Sequence, residues 1–392
     1  SLGYDDYAGL DVRGKIALVF DHEPQETNPR SVFNGVGNTI HANTRGKAME
    51  AQRRGAIALL VVAEPNRKHP SAEDRRKRTG GAGSRLPSQV REDNEVRIPL
   101  FTVDDAVAKA LASGFDLAAA QTVIDGELKP QSRALGARAT LRNANRERRR
   151  GESYNVIGIL EGTGLAEEAV LYSGHYDHDG VVDGKMYPGA DDNASGTAGV
   201  LELARAFVAA KARPQRSILF ACWTGEERGL LGAYHYAAHP LRALETTRAV
   251  LNFDMIGRDE KATAQTEGLV EIAADTSNEV GLAGAVYSPD LRDAVESANG
   301  GVGLRITTKW DRDHALNLFQ RSDQFPFAMK EVPAFWIFTG FHPDYHQPTD
   351  TVEKINFPKM EKILKLAYRT GLAVANQEGH PRFVKDPQPR PE

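Results

Sequence analysis

Ala169-Val170-Leu171-Tyr172-Ser173-Gly174-His175-Tyr176-Asp177 begins as an unbroken apolar run and ends in side chains that bind protons or metals. A run this short, with no helical spacing, reads as a strand covered on both faces. Residues 195–210 follow with helical spacing, 216–223 read as a second buried strand, 227–238 as a helix and 249–255 as a third strand. Residues 155–160 supply a strand upstream, 334–338 another downstream, and 357–376 a closing helix. Alternating strand and helix predicts an α/β fold, a mixed, largely parallel sheet flanked by helices.

The chain before this region is organised differently. Residues 15–20, 56–62 and 98–103 read as strands, 45–54 and 105–120 as helices. A hydrophilic stretch, 64–97, carries Arg75-Arg76-Lys77-Arg78 and is expected as an exposed, solvated loop. A charged passage at 146–150 marks a junction, and the polar, proline-bearing end reads as a mobile tail. The expected division is a smaller β-rich domain at 1–135, the α/β domain at 136–378 and the tail at 379–392.

Composition removes several functional classes. The 392 residues are 41% hydrophobic and 26% charged, enough to bury a sizeable core. Lys plus Arg number 49 against 53 Asp plus Glu, a net charge of −4, so no global field draws the chain to nucleic acid. No apolar run is long enough to span a membrane. Cys222 is the single cysteine, which excludes an internal disulfide and a thiolate metal cage. The phosphate-binding loop, a strand-linked G-x-G-x-x-G, G-x-S-x-G and H-E-x-x-H are all absent.

Polar residues instead gather where predicted strands end: His175-Tyr176-Asp177, Asp191-Asp192-Asn193, Glu226-Glu227, Asp254 and His346. Ligands of open α/β sheets collect at those ends. Imidazoles and carboxylates without thiolates suit Zn²⁺ or a similar divalent ion in a site that leaves a position for water.

The segments 173–180, 189–196, 224–232, 252–258 and 345–350, in that order, resemble the co-catalytic di-zinc aminopeptidases of peptidase family M28. Residues 11–19, 47–55 and Ile98-Pro99 resemble a protease-associated (PA) domain. The resemblance implies a zinc-exopeptidase fold with a PA-like domain, from which an N-terminal piece of the peptidase domain is expected to be missing. It implies two Zn²⁺ per chain, His175 and Asp254 on one, Glu227 and His346 on the other, and Asp192 bridging. A cis peptide is expected between Asp192 and Asn193. Glu226 would be the general base, Asp177 would accept the second imidazole N–H of His175, and Tyr345 would stabilise the oxyanion.

The activity so implied is release of N-terminal residues from peptide substrates by an exported, secreted or periplasmic enzyme. Alternatives on the same fold are a carboxypeptidase or dipeptidase, a glutaminyl cyclase, and a receptor-like ectodomain without catalysis. His178, His235 and His239 match no ligand position and are expected at the surface or in helix packing; Cys222 is expected in the core. Arg321-Ser322-Asp323 reads as a helix N-cap, and Trp310, Phe319 and Phe341 as an apolar wall for the substrate's first side chain.

Overall fold

In the computed structural model, residues 2–67, 69, 89–92, 95–142, 144 and 149–387 are described; the basic run at 75–78 lies outside them. The chain divides into two units, the first from Ser1–Pro87 and Arg91–Gly151, the second from Glu152–Pro387.

In the first unit, β1 (Ile16–Phe20), α1 (Thr44–Arg53), β2 (Ala58–Val62) and β3 (Leu100–Thr102) precede α2 (Asp105–Leu111) and α3 (Leu117–Glu127). The three strands form a parallel sheet in the order β1-β2-β3, Leu18 opposite Leu60 and Leu60 opposite Phe101. The side chain of Asn43 caps α1 by accepting the Gly46 N–H. The small residues Ala48 and Ala51 let α1 pack on Leu59 and Val61 of β2.

The second unit holds β4 (Val156–Leu160), β5 (Leu165–His175), β6 (Gly180–Val182), β7 (Lys185–Tyr187), α4 (Gly196–Ala209), β8 (Arg216–Trp223), α5 (Leu231–Ala238) and β9 (Thr247–Phe253). It continues through β10 (Glu279–Ala283), α6 (Pro289–Asn299), β11 (Arg305–Thr307), α7 (Phe325–Ala328), β12 (Ala334–Phe338) and α8 (Phe357–Asn376). Seven strands pair in the order β11-β10-β12-β9-β5-β8-β4. The middle four, β12, β9, β5 and β8, are parallel, while β4 and β10 join them antiparallel.

The continuous apolar run of β5 follows from burial on two faces. Val170 and Tyr172 join one core with Leu203, Phe207 and Leu366; Ala169 and Leu171 join the other with Trp223, Tyr236 and Phe327. Tyr172 lies among Phe207, Phe220 and Phe253, with ring centroids 5.8–6.1 Å away. Its hydroxyl donates to the Ala367 carbonyl at 2.8 Å. Gly371 makes room for that ring, since a Cβ there would sit 1.8 Å from the hydroxyl oxygen. At the start of β8, buried Arg216 donates to the carbonyls of Val374, Gln377 and Gly379, satisfying the open C-terminal end of α8.

Between β6 and β7, Asp183 and Gly184 take φ of 50° and 74°, the two left-handed residues of a tight hairpin turn. In the segment expected as a mobile tail, Phe383 stacks on Tyr287 and the Val384 N–H donates to the Tyr287 carbonyl. Among the described residues no helix is long and apolar enough to cross a membrane.

Candidate metal centre

The site is assembled at the carboxyl ends of the parallel strands. β5 ends on His175, whose carbonyl accepts the Thr197 hydroxyl at 2.6 Å. The His175 Nδ1 lies 3.0 Å from the Asp177 carbonyl oxygen. A carbonyl only accepts, so Nδ1 carries a proton and Nε2 is the nitrogen that faces the site.

The loop before α4 brings in Asp192. Asp350 accepts the N–H groups of Asp191 and Asp192 through one oxygen, at 3.0 and 3.2 Å. The peptide between Asp192 and Asn193 is cis. Asn193 then ties this loop to the end of β9, donating to the Phe253 carbonyl and accepting the N–H groups of Gly196 and Met255. Asp191 turns away, accepting the Gly257 N–H at 2.7 Å with its other oxygen 3.2 Å from His342 Nε2.

Asp254 follows β9. Its carboxylate accepts the Ser322 hydroxyl at 2.5 Å, and its carbonyl accepts the Trp336 indole N–H at 2.8 Å. Glu226 and Glu227 follow β8 through Gly225, whose φ of 68° suits a residue without a side chain. His346 comes from the loop after β12.

The side chains converge closely. His175 Nε2 lies 3.3 Å from one oxygen of Asp192, 3.5 Å from Asp254 and 3.9 Å from Glu226. His346 Nε2 lies 2.9 Å from the other oxygen of Asp192 and 3.4 Å from Glu227. Both nitrogens are buried and neither makes a hydrogen bond among the described residues. Ring nitrogens of two imidazoles converging with several carboxylates, and making no hydrogen bond to them, are a donor set that fits divalent cations. His175, Glu226 and Asp254 form one group that could hold an ion; His178, Asp192, Glu227 and His346 form the second.

Electrostatics follow from this crowding. Burial raises the Glu226 carboxyl well above its ordinary range, with Asp254 and Glu227 adding to the shift against the opposing pull of His175. Burial acts in the same direction on Asp192, but the imidazoles of His175 and His346 outweigh it and hold that group well below the ordinary range. His346 is lifted to about 9, its burial overcome by Asp192 and Glu227. Burial, with Asp192 and Glu227 close by, keeps the Tyr345 phenol protonated.

Three expectations for the polar residues of the site are corrected by the structure. Asp177 meets His175 through its backbone carbonyl; its carboxylate instead accepts the N–H groups of Glu226 and Glu227 at 3.0 and 3.3 Å and so fixes that turn. His178 is not a surface residue: its Nδ1 lies 2.6 Å from Glu227, and its ring meets His346 edge-on. Residues 321–323 make no side-chain helix cap. Arg321 donates to the Tyr345 hydroxyl at 3.3 Å, while Ser322 links Asn252 to Asp254. Burial lifts Asp323, whose two carboxylate oxygens have no hydrogen-bond partner among the described residues.

A cavity of about 310 Å³ opens onto the cluster, lined by Glu226, Tyr345, Arg321, Leu230, Met255, Trp336 and Phe341 among others. Of the expected apolar wall, Phe341 faces this space. Trp310 packs behind Phe341, and Phe319 stacks on Tyr287. Cys222 is buried in the core, and His235 and His239 lie beside each other at the end of α5.

Buried imidazoles and carboxylates gathered at the strand ends of a mixed α/β sheet make the molecule an α/β protein with a candidate metal centre at the carboxyl ends of its strands. The chain belongs to peptidase family M28, whose profile matches residues 155–370, and a PA domain profile matches residues 1–111. A probable zinc metalloprotease of Leptosphaeria maculans is 29% identical over 59% of this chain and 59% of its own length. Aminopeptidase YwaD of Bacillus subtilis is 29% identical over 59% of this chain and 47% of its own. The chain thus spans roughly half the length of the curated relatives it matches. The solved zinc aminopeptidase of Bacillus subtilis aligns with 96% of this chain and 74% of its own at 20% identity and a TM-score of 0.45.

Proposed function

We propose that the chain is a zinc-dependent aminopeptidase that releases N-terminal residues from peptides. The observation that carries this reading is Asp192, whose two oxygens separately face the unbonded Nε2 atoms of His175 and His346 at 3.3 and 2.9 Å. In this reading His175 and Asp254 would hold one Zn²⁺, Glu227 and His346 the other, and Asp192 would serve both. Such a pair supplies Lewis acidity and a nucleophilic water at neutral pH.

The remaining work falls to the protein's own groups. Glu226 lies against the cluster and lines the cavity, so it can take the proton of the attacking water and return it to the leaving amine. The Asp177 carboxylate holds the backbone of Glu226 and Glu227. Tyr345, protonated and polarised by Arg321, donates to the oxyanion that forms at the scissile carbonyl. Leu230, Met255 and Phe341 offer an apolar wall for the first side chain.

With Glu227 and Asp254 given to the metals in this reading, Glu226 is the cavity carboxylate left to meet a substrate's free amine. A second reading, carboxypeptidase action, draws on Arg321 in the same cavity, which could receive a terminal carboxylate. Exported, secreted or periplasmic location extends the leading reading through the resemblance to PA-bearing relatives. Hydrolysis of aminoacyl-p-nitroanilides but not of their N-acetylated forms is expected. Cleavage of N-acetylated peptides from a free carboxyl end would replace aminopeptidase with carboxypeptidase action.

A further inference from the structure

A second group of metal-ligating side chains lies in the first unit and includes none of the residues used above. His22 and Glu26 stand in the segment after β1, Glu64 and His69 in the segment after β2. Their ligand atoms all lie within 4.8 Å of one another. His22, Glu26 and Glu64 are 3%, 1% and 4% exposed, so these polar groups have almost no water to serve them.

Their pairing leaves charge unbalanced. His22 Nδ1 lies 3.2 Å from Glu64, and His69 Nε2 pairs with Glu26. Arg67 is shared: it donates to Glu64 at 3.0 Å and to Asp125, and comes within 3.8 Å of Glu26. One guanidinium thus serves three carboxylates. Lys47, another cation close by among the described residues, spends its N–H groups on the carbonyls of Phe20 and His22. The Glu26 Oε2 is buried with no hydrogen-bond partner among the described residues. Protonating both imidazoles would restore balance only by stacking two cations, because the His22 and His69 rings lie 3.8 Å apart and 20° from parallel.

We propose that His22, Glu26, Glu64 and His69 form a second metal site that binds one divalent transition ion of the Zn²⁺ type. Two imidazoles and two carboxylates make a four-ligand set for such an ion. The ion would meet the free oxygen of Glu26, leave both imidazoles neutral and fasten the loop after β1 to the loop after β2. With its four positions supplied by protein, the site is structural rather than catalytic.

The test is zinc per chain on the intact 392-residue chain, stripped with chelator, reloaded with Zn²⁺ and desalted. The Asp192→Ala/His346→Ala chain isolates the new site from the cluster of the second unit. It should retain about one equivalent and lose it when His69→Ala or the nearly isosteric Glu26→Gln is added, with circular dichroism confirming the fold. A doubly substituted chain that holds no zinc, or whose zinc ignores both further changes, overturns the proposal. In the otherwise wild-type chain, loss of one equivalent on Glu26→Gln supports this site even if the Asp192 cluster proves empty. Two equivalents that depend on Asp192 and ignore Glu26 uphold only the reading of the second unit.

Discussion

The two imidazole–carboxylate clusters are built alike and finished differently. Each lies where parallel strands end, β5, β8 and β9 in one unit and β1 and β2 in the other, and each draws its ligands from separate loops. Around His175 and His346, however, a cavity opens, and Glu226 and Tyr345 stand on its wall. Around His22 and His69 the carboxylates of Glu64 and Glu26 pair with the imidazoles, and Glu64 also with Arg67. The difference teaches that ligand chemistry alone does not make a reactive centre. Groups that can move a proton or meet a developing charge beside an accessible space are needed as well.

Changes in the open cluster should therefore act on turnover in a graded way. The largest effect is expected from Asp192→Ala, which removes the carboxylate that both imidazoles face. Hydrolysis of a leucyl-p-nitroanilide should fall to background and the zinc of that cluster should be lost, while one equivalent stays in the first unit. Retention of wild-type zinc and activity would break the comparison at its stronger end. Tyr345→Phe deletes a charge-stabilising donor without disturbing a ligand, so kcat should fall about 10²–10³-fold with zinc content unchanged. Kinetics with KM little altered would place the loss in the transition state.

Asp177→Ala should be milder. It leaves the carbonyl that orients His175 and removes the acceptor for the Glu226 and Glu227 N–H groups, so activity or zinc affinity should drop about 10–100-fold. Equal loss in Asp177→Asn, which keeps one acceptor oxygen, would argue for charge over positioning. The smallest effect concerns neither cluster. Glu168 bridges Arg216 and Arg248 at 2.6 Å each, and the Arg248 hydrogen bond leads, with that of Arg216, in holding its carboxyl down at about 2. Its stabilisation is complete above the unfolded carboxyl range, roughly pH 4–5, and is lost as pH falls toward 2. Glu168→Gln should cost about 1–3 kcal/mol at neutral pH. In urea unfolding the gap from wild type should narrow on acidification; a gap that widens contradicts the assignment.

The legible parts of the chain were those governed by local patterns. Tyr172 and its neighbours in β5 are apolar because both faces of the strand are covered, and His175, Glu226 and Asp254 follow strands whose ends hydropathy marks. Contacts set by distant segments were not readable. The carboxylate of Asp177 is claimed by N–H groups 49 and 50 positions away, a partner no local spacing reveals. His178 and Arg321 sit in loops, where neither a helical nor a strand period says which way a side chain points. The hairpin at Asp183-Gly184 does carry a local signal, the Asp-Gly turn between short strands. The four residues around His22 carry none: single polar residues in two loops meet only because β1 pairs with β2.

The central claim is that the cluster around Asp192 holds catalytic zinc with Glu226 as the proton carrier, and Glu226→Gln tests it most directly. Zinc per chain and the initial rate on a leucyl-p-nitroanilide are measured together for wild type and variant. Unchanged zinc content with turnover reduced about 10²–10⁴-fold is the predicted result. A variant that keeps both its zinc and its turnover would show that another group moves the proton, and the account of this centre would fail.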